Sequence, residues 1–167
     1  MSKKTNKILP PDYLYRTGVG IAIINQDKKI FVGHRIDSVD KLKSWQMPQG
    51  GVDAGEDELS AMFRELKEET GLEKDAVKIL HQLPNYQYYN LPNVLQKKLW
   101  GGKYLGQRQK WFLLELSAND EAINIKTENP EFNDWQWVDV DEAIDMIVDF
   151  KKMLYKEVFR GFAKFLN

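Results

Sequence analysis

The sequence predicts one domain of mixed α and β structure. Three observations carry that expectation. Val19 to Asn25 (VGIAIIN) and Lys110 to Leu116 (KWFLLEL) are apolar runs of the kind found in strands buried on both faces. Between Asp57 and Thr70, Leu59, Met62, Phe63 and Leu66 recur at steps of three and four, the stripe of an amphipathic helix. A second helical pattern begins at Asp141 and runs toward the C-terminus. The 167 residues suit a single sizeable core, and no repeat, low-complexity segment or linker divides them.

Taken in order, residues 1–12 read as a flexible basic arm, and residues 13–167 as the domain. The arm has no apolar core before a cleavage site, so it is not a secretory signal. The first strand, with Arg16 just before it, turns at Gln26-Asp27-Lys28 into a second strand, Lys29 to Arg35. Trp45-Gln46-Met47-Pro48-Gln49-Gly50-Gly51 stops regular structure, and its paired glycines allow a backbone to approach a ligand closely. Gly71 closes the following helix as a left-handed cap. Val77 to Leu83 and Tyr86 to Tyr89 are further strands, and Trp111 belongs to the core. Phe132 to Val138 is a strand with a bulge or turn at Asn133-Asp134. Asp141 caps a helical segment carrying Ala143, Ile144, Ile147, Val148, Leu154, Val158, Phe159, Phe162 and Phe165.

Composition excludes several classes. No apolar run approaches the roughly 18 residues of a membrane span. There is no cysteine, hence no disulfide framework or thiolate metal site, which fits a reducing cytoplasm. No phosphate-binding loop or dinucleotide fingerprint is present. His34 and His81 stand apart from any nucleophile or second ligand and read as structural. The net charge of −1 hides an uneven layout, because residues 76–114 contain no Asp or Glu. Lys78, Lys97, Lys98, Lys103, Arg108 and Lys110 are there interleaved with Tyr86, Tyr88, Tyr89, Trp100, Tyr104 and Trp111. Cations with aromatics neutralise phosphates and stack on bases. Lys98 and Lys110 are therefore candidate phosphate contacts.

On the helix of residues 57–70, Glu65, Glu68 and Glu69 stand at i, i+3 and i+4 and share one face. Such like charges repel when exposed, and a hard divalent cation bound by carboxylate oxygens would remove the repulsion. Pairing of Arg64 with Glu68 on a solvated acidic face is the alternative. The surrounding stretch reads Gly50, five residues, Glu56, seven residues, Arg64-Glu65-Leu66, one residue, Glu68-Glu69, one residue, Gly71-Leu72, and it is what this pattern resembles that favours the cation. A chance match to nine fixed positions is on the order of one in ten million at average residue usage.

This stretch resembles the Nudix box. YRTGVGIAIIN, FVGHRID, WQMPQGGVDAGE, GQRQKWFLL and PEFNDWQWV are similar to the bacterial RNA pyrophosphohydrolases, also described as dinucleoside polyphosphate hydrolases. The resemblance implies the Nudix fold, a mixed β-sheet between helices in an α/β/α sandwich, with the box as loop, helix and loop. It implies hydrolysis of a nucleoside 5′-polyphosphate with Mg²⁺ or Mn²⁺. Gly50, Glu65, Glu68, Glu69 and Glu131 are the implied metal-site residues, and Glu56 and Arg64 the pair bracing loop against helix. Arg16, Arg35, Gln49, Gly50, Gly51, Tyr89, Val148, Phe150 and Lys151 are the implied substrate-binding positions. The implied substrate is 5′-triphosphorylated RNA, with dinucleoside polyphosphates as the alternative; neither DNA nor a membrane is expected. A cytoplasmic monomer is the expectation. A non-catalytic sensor would have lost box glutamates, and none is missing.

Overall fold

A computed structural model describes residues 11–37 and 42–167. The expected arm therefore lies, but for Pro11 and Asp12, outside the described residues. The strands are β1 (Tyr15–Ile24), β2 (Ile30–Arg35), β3 (Trp45–Gln46), β4 (Gln49–Gly51), β5 (Val77–Gln82), β6 (Gln87–Asn90), β7 (Gly106–Leu116) and β8 (Phe132–Val138). The helices are α1 (Glu58–Thr70), α2 (Asn93–Lys98), α3 (Val140–Met146) and α4 (Lys152–Leu166).

The strands form one mixed sheet with the path β3-β2-β1-β7-β5. At its centre β1 and β7 run parallel, from Tyr15 beside Gly106 to Ile24 beside Glu115. The other pairings are antiparallel: β4 with β1, β6 with β7 and β8 with β2. Side chains alternate across a strand, so the two apolar runs feed two cores. Ile21, Ile23, Phe112 and Leu114 pack with Ala61, Met62 and Leu66 of α1. Ala22, Ile24, Trp111 and Leu113 pack with Ala143 of α3 and Leu154, Val158 and Phe162 of α4. Helices cover both faces of the sheet, which is why residues 19–24 of β1 and 111–114 of β7 are apolar at every position.

Local signals set the helix ends. Asp57 caps α1 by accepting the Ser60 N–H at 2.7 Å, and Gly71 ends it at φ +73°. The buried stripe of α1 is shifted from expectation: Ala61, Met62 and Leu66 are buried, whereas Leu59 is exposed. Asp141 is not a cap. Asp139 caps α3 in a capping box with Glu142, which places Asp141 inside the first turn. The long helical pattern is also interrupted, since Ile147 is extended and a 3₁₀ turn covers Asp149–Lys151 before α4 begins. Arg16 is the second residue of β1 rather than a residue before it. The irregularity expected at Asn133-Asp134 is present, where the β2–β8 register shifts between His34 and Arg35. His34 bonds Asn133 and Ser44, and His81 packs on Phe162 and Phe165.

Candidate active site

Arg64 organises the acidic end of α1. Its Nε and Nη2 donate to the two Glu56 oxygens, both at 2.9 Å, a bidentate pair across the loop. Nη2 also donates to the Gly51 carbonyl at 2.8 Å, and Nη1 to Glu65 at 2.8 Å. The i+4 partner Glu68 is the longer contact, at 3.4 Å. These bonds tie β4, the loop and α1 into one unit. The Arg64 guanidinium, with the Asp53 N–H, holds the Glu56 carboxyl down at about 2.

Glu65 and Glu69 are not on a solvated face. Glu69 is 4% exposed, and its Oε2 accepts the Gln49 N–H at 3.1 Å. Burial, then repulsion from Glu65, pushes its carboxyl well above the ordinary value. Glu65 is pushed up to about 7 by burial, opposed by Arg64 and reinforced by Glu68 and Glu131. All four carboxylates line one cavity of about 780 Å³. Gly50 makes the approach possible. A Cβ there would fall 1.9 Å from the Glu65 carboxyl carbon. Gly50→Ala should therefore displace Glu65 and lower turnover by about tenfold or more. Parallel melting and rate measurements check this, and an unaltered rate would contradict the contact.

The same cavity is lined by Arg16, Arg35, Tyr89, Val148, Phe150 and Lys151. Arg16 lies over the Trp100 ring at 5.1 Å, and Arg35 pairs with Asp37 at 2.8 Å. Lys151 is 4% exposed, with Nζ 5.1 Å from the Tyr89 ring centre and 3.4 Å from Gln49 Oε1. Burial and then the nearby Arg35 charge push its ammonium down to about 7. Phe150 is partly buried and sits 6.1 Å from Tyr89, ring centre to ring centre.

Every proposed site residue except four lines this cavity. Glu56 and Arg64 are outside the lining, with Arg64 bonded to the carbonyl of the lining residue Gly51. The departures are Lys98, Lys110 and the bracing pair. Lys98 ends α2 outside the cavity lining, and Lys110 donates to the Pro84 carbonyl at 2.7 Å. On β7 the period of two sends Lys110 to the face of Phe112, away from Gln107 and Trp111. Sequence reading missed Leu95, Leu99, Gln46 and Gln107, which also line the cavity, and named Trp100 only among the aromatics of residues 76–114. A smaller cleft of about 250 Å³ near Leu83 and Gly161 holds one carboxylate, Glu157, and no cluster.

Among the described residues no three acidic or histidine side chains close into a ligand set. Arg64 draws Glu65 to one side, and the Gln49 N–H holds one Glu69 oxygen. The donor chemistry nevertheless fits a hard divalent cation. It consists of carboxylate oxygens that raise one another's proton affinity around a shared cavity.

The NUDIX domain model matches residues 14–158. The chain is 45% identical to an RNA pyrophosphohydrolase of Pelagibacter ubique over 91% of this chain and 94% of that protein. It is 43% identical to an RNA pyrophosphohydrolase of Rickettsia prowazekii over the full length of both. Among solved structures, a C. elegans Ap4A hydrolase binary complex superposes with a TM-score of 0.62 at 20% identity, covering 88% of this chain and 98% of that one. The E. coli dihydroneopterin triphosphate pyrophosphohydrolase gives 0.62 at 21% identity, covering 87% and 97%. Those two structures show the shared fold. The chain belongs to the Nudix family, on the branch of the RNA pyrophosphohydrolases.

Proposed function

We propose that this protein is a divalent-metal-dependent RNA pyrophosphohydrolase, using Mg²⁺ or Mn²⁺ in the cytoplasm to initiate mRNA decay. It removes pyrophosphate from the 5′-triphosphate end of RNA and leaves a 5′-monophosphate. One observation carries the reading: a single cavity gathers Glu65, Glu68, Glu69 and Glu131 with Arg16, Arg35 and Lys151 and with the rings of Tyr89 and Phe150. The names and identities of the curated relatives support it.

A cation held by Glu65, Glu68, Glu69, Glu131 and the Gly50 carbonyl would neutralise phosphate charge and acidify a bound water. Arg64 and Glu56 keep the loop in register with α1, so the carboxylates arrive prepositioned. Arg16, Arg35 and Lys151 neutralise the polyphosphate from the remaining sides of the cavity. Water oxygen bonds to phosphorus, the anhydride between the α and β phosphates breaks, and pyrophosphate departs. The water proton passes to a carboxylate of the cluster.

Phe150 and Tyr89 supply a surface for the first bases. Base stacking is worth roughly 1–3 kcal/mol. Phe150→Ala should weaken RNA turnover by about tenfold or more through KM, with hydrolysis of free nucleoside triphosphate little changed. Equal losses on both substrates with a lowered melting temperature would mark Phe150 as a core residue instead.

A further inference from the structure

The side chains of Gln107 and Gln109 are not used by the reading above, and with Gln49 they form a directed chain of hydrogen bonds. Gln109 on β7 is completely buried, and its Oε1 accepts the Trp111 indole N–H at 3.1 Å. Its Nε2 donates at 2.8 Å to Gln49 Oε1 and at 2.8 Å to Gln107 Oε1. At the far end, Lys151 Nζ approaches the same Gln49 oxygen at 3.4 Å.

An indole N–H only donates. Trp111 therefore fixes which side of Gln109 is oxygen. Both Gln109 amide hydrogens then point at neighbours that must present oxygen. Reversing Gln109 would set NH₂ against the indole N–H and oxygen against two oxygens. Reversing Gln49 would set its NH₂ against the NH₂ of Gln109. The NH₂ groups of Gln49 and Gln107 must consequently point away from Gln109. Among the described residues no buried side-chain nitrogen lacks a partner, and neither NH₂ has a protein acceptor. Both therefore reach the cavity that Gln49 and Gln107 line.

We infer that Gln107 is a substrate-contacting residue, and that Gln109, locked by Trp111, is the positioning residue that makes Gln49 and Gln107 present amide N–H donors to a polyphosphate. Non-bridging phosphate oxygens only accept hydrogen bonds, so a reversed amide would repel them. The inference rests on the polyphosphate reading of the cavity.

The test is binding of inorganic tripolyphosphate, with divalent cation, to the full chain by calorimetry, which needs no turnover. Gln109→Leu removes the lock. If each released amide then spends half its time reversed, affinity falls about fourfold at most. Gln109→Glu presents acceptors only and inverts both amides, so affinity falls about tenfold or more. Added negative charge alone would act regardless of Gln107. In the Gln107→Leu background the Gln109→Glu penalty must therefore shrink clearly. Gln107→Leu by itself also weakens binding and serves as the test if Gln109→Glu does not fold. The inference is overturned if Gln109→Glu costs no more than Gln109→Leu, if its penalty is the same in the Gln107→Leu background, if Gln107→Leu binds normally, or if the wild type does not bind tripolyphosphate. Tripolyphosphate binding as expected, together with inert 5′-triphosphate RNA, would fault the RNA reading and leave the amide lock standing.

Discussion

Glu69→Gln is expected to lower turnover of 5′-triphosphate RNA by two or more orders of magnitude, the scale of lost metal or base catalysis. Glu68→Gln should do the same. Stability should move the other way for Glu69. Its carboxyl is raised in the folded state, so the folded chain holds the proton more tightly than the unfolded chain does. Below about 4.5 both states are protonated and no penalty exists. As pH rises above that value the unfolded state gains by ionising, and folded stability falls. Glu65 adds to the loss up to about 7. In chelator, Glu69→Gln should therefore melt higher than wild type at neutral pH, and the gap should close toward pH 4. Near-normal turnover of Glu69→Gln at saturating cation would contradict its role, and a melting gap that widens toward acid would contradict the burial argument.

Arg64→Leu should be as damaging to turnover, about a hundredfold or more, but with a lower melting temperature. It strips the bidentate partner from Glu56, the donor from Glu65 and the bond to the Gly51 carbonyl at once. Arg64→Lys should rescue little, because an ammonium cannot bridge both Glu56 oxygens in plane. Separating rate from stability decides the matter. A variant that melts lower yet turns over normally would show that the clamp holds the fold and not the carboxylates.

The two central strands were legible where helices cover both faces of the sheet, at residues 19–24 of β1 and 111–114 of β7, while the polar start of β7 was not. The box was legible because its residues are fixed by contacts among themselves, as Arg64 with Glu56 and Gly50 with Glu65 show. α2 carries no such mark: it has six residues and no side-chain cap. The break at Ile147 was hidden because Ile147 is buried in the same core as Leu154, so the apolar pattern continues while the backbone does not. Charge composition pointed at residues 76–114, yet it could not say which face a lysine takes. Lys110 alternates away from the cavity, while the neutral Gln107 and Trp100 enter it. Glutamines carry no charge signal, so the place of Gln107 at the cleft and of Gln109 behind it emerges only from the structure.

The most direct measurement sets 5′-triphosphate RNA beside diadenosine tetraphosphate with the full chain and Mg²⁺, resolving products and kcat/KM for each. RNA turned over with the higher kcat/KM, giving 5′-monophosphate RNA and pyrophosphate and ceasing in chelator, is the predicted result. Preferential cleavage of the dinucleotide to ATP and AMP, with the RNA end left intact, would contradict it.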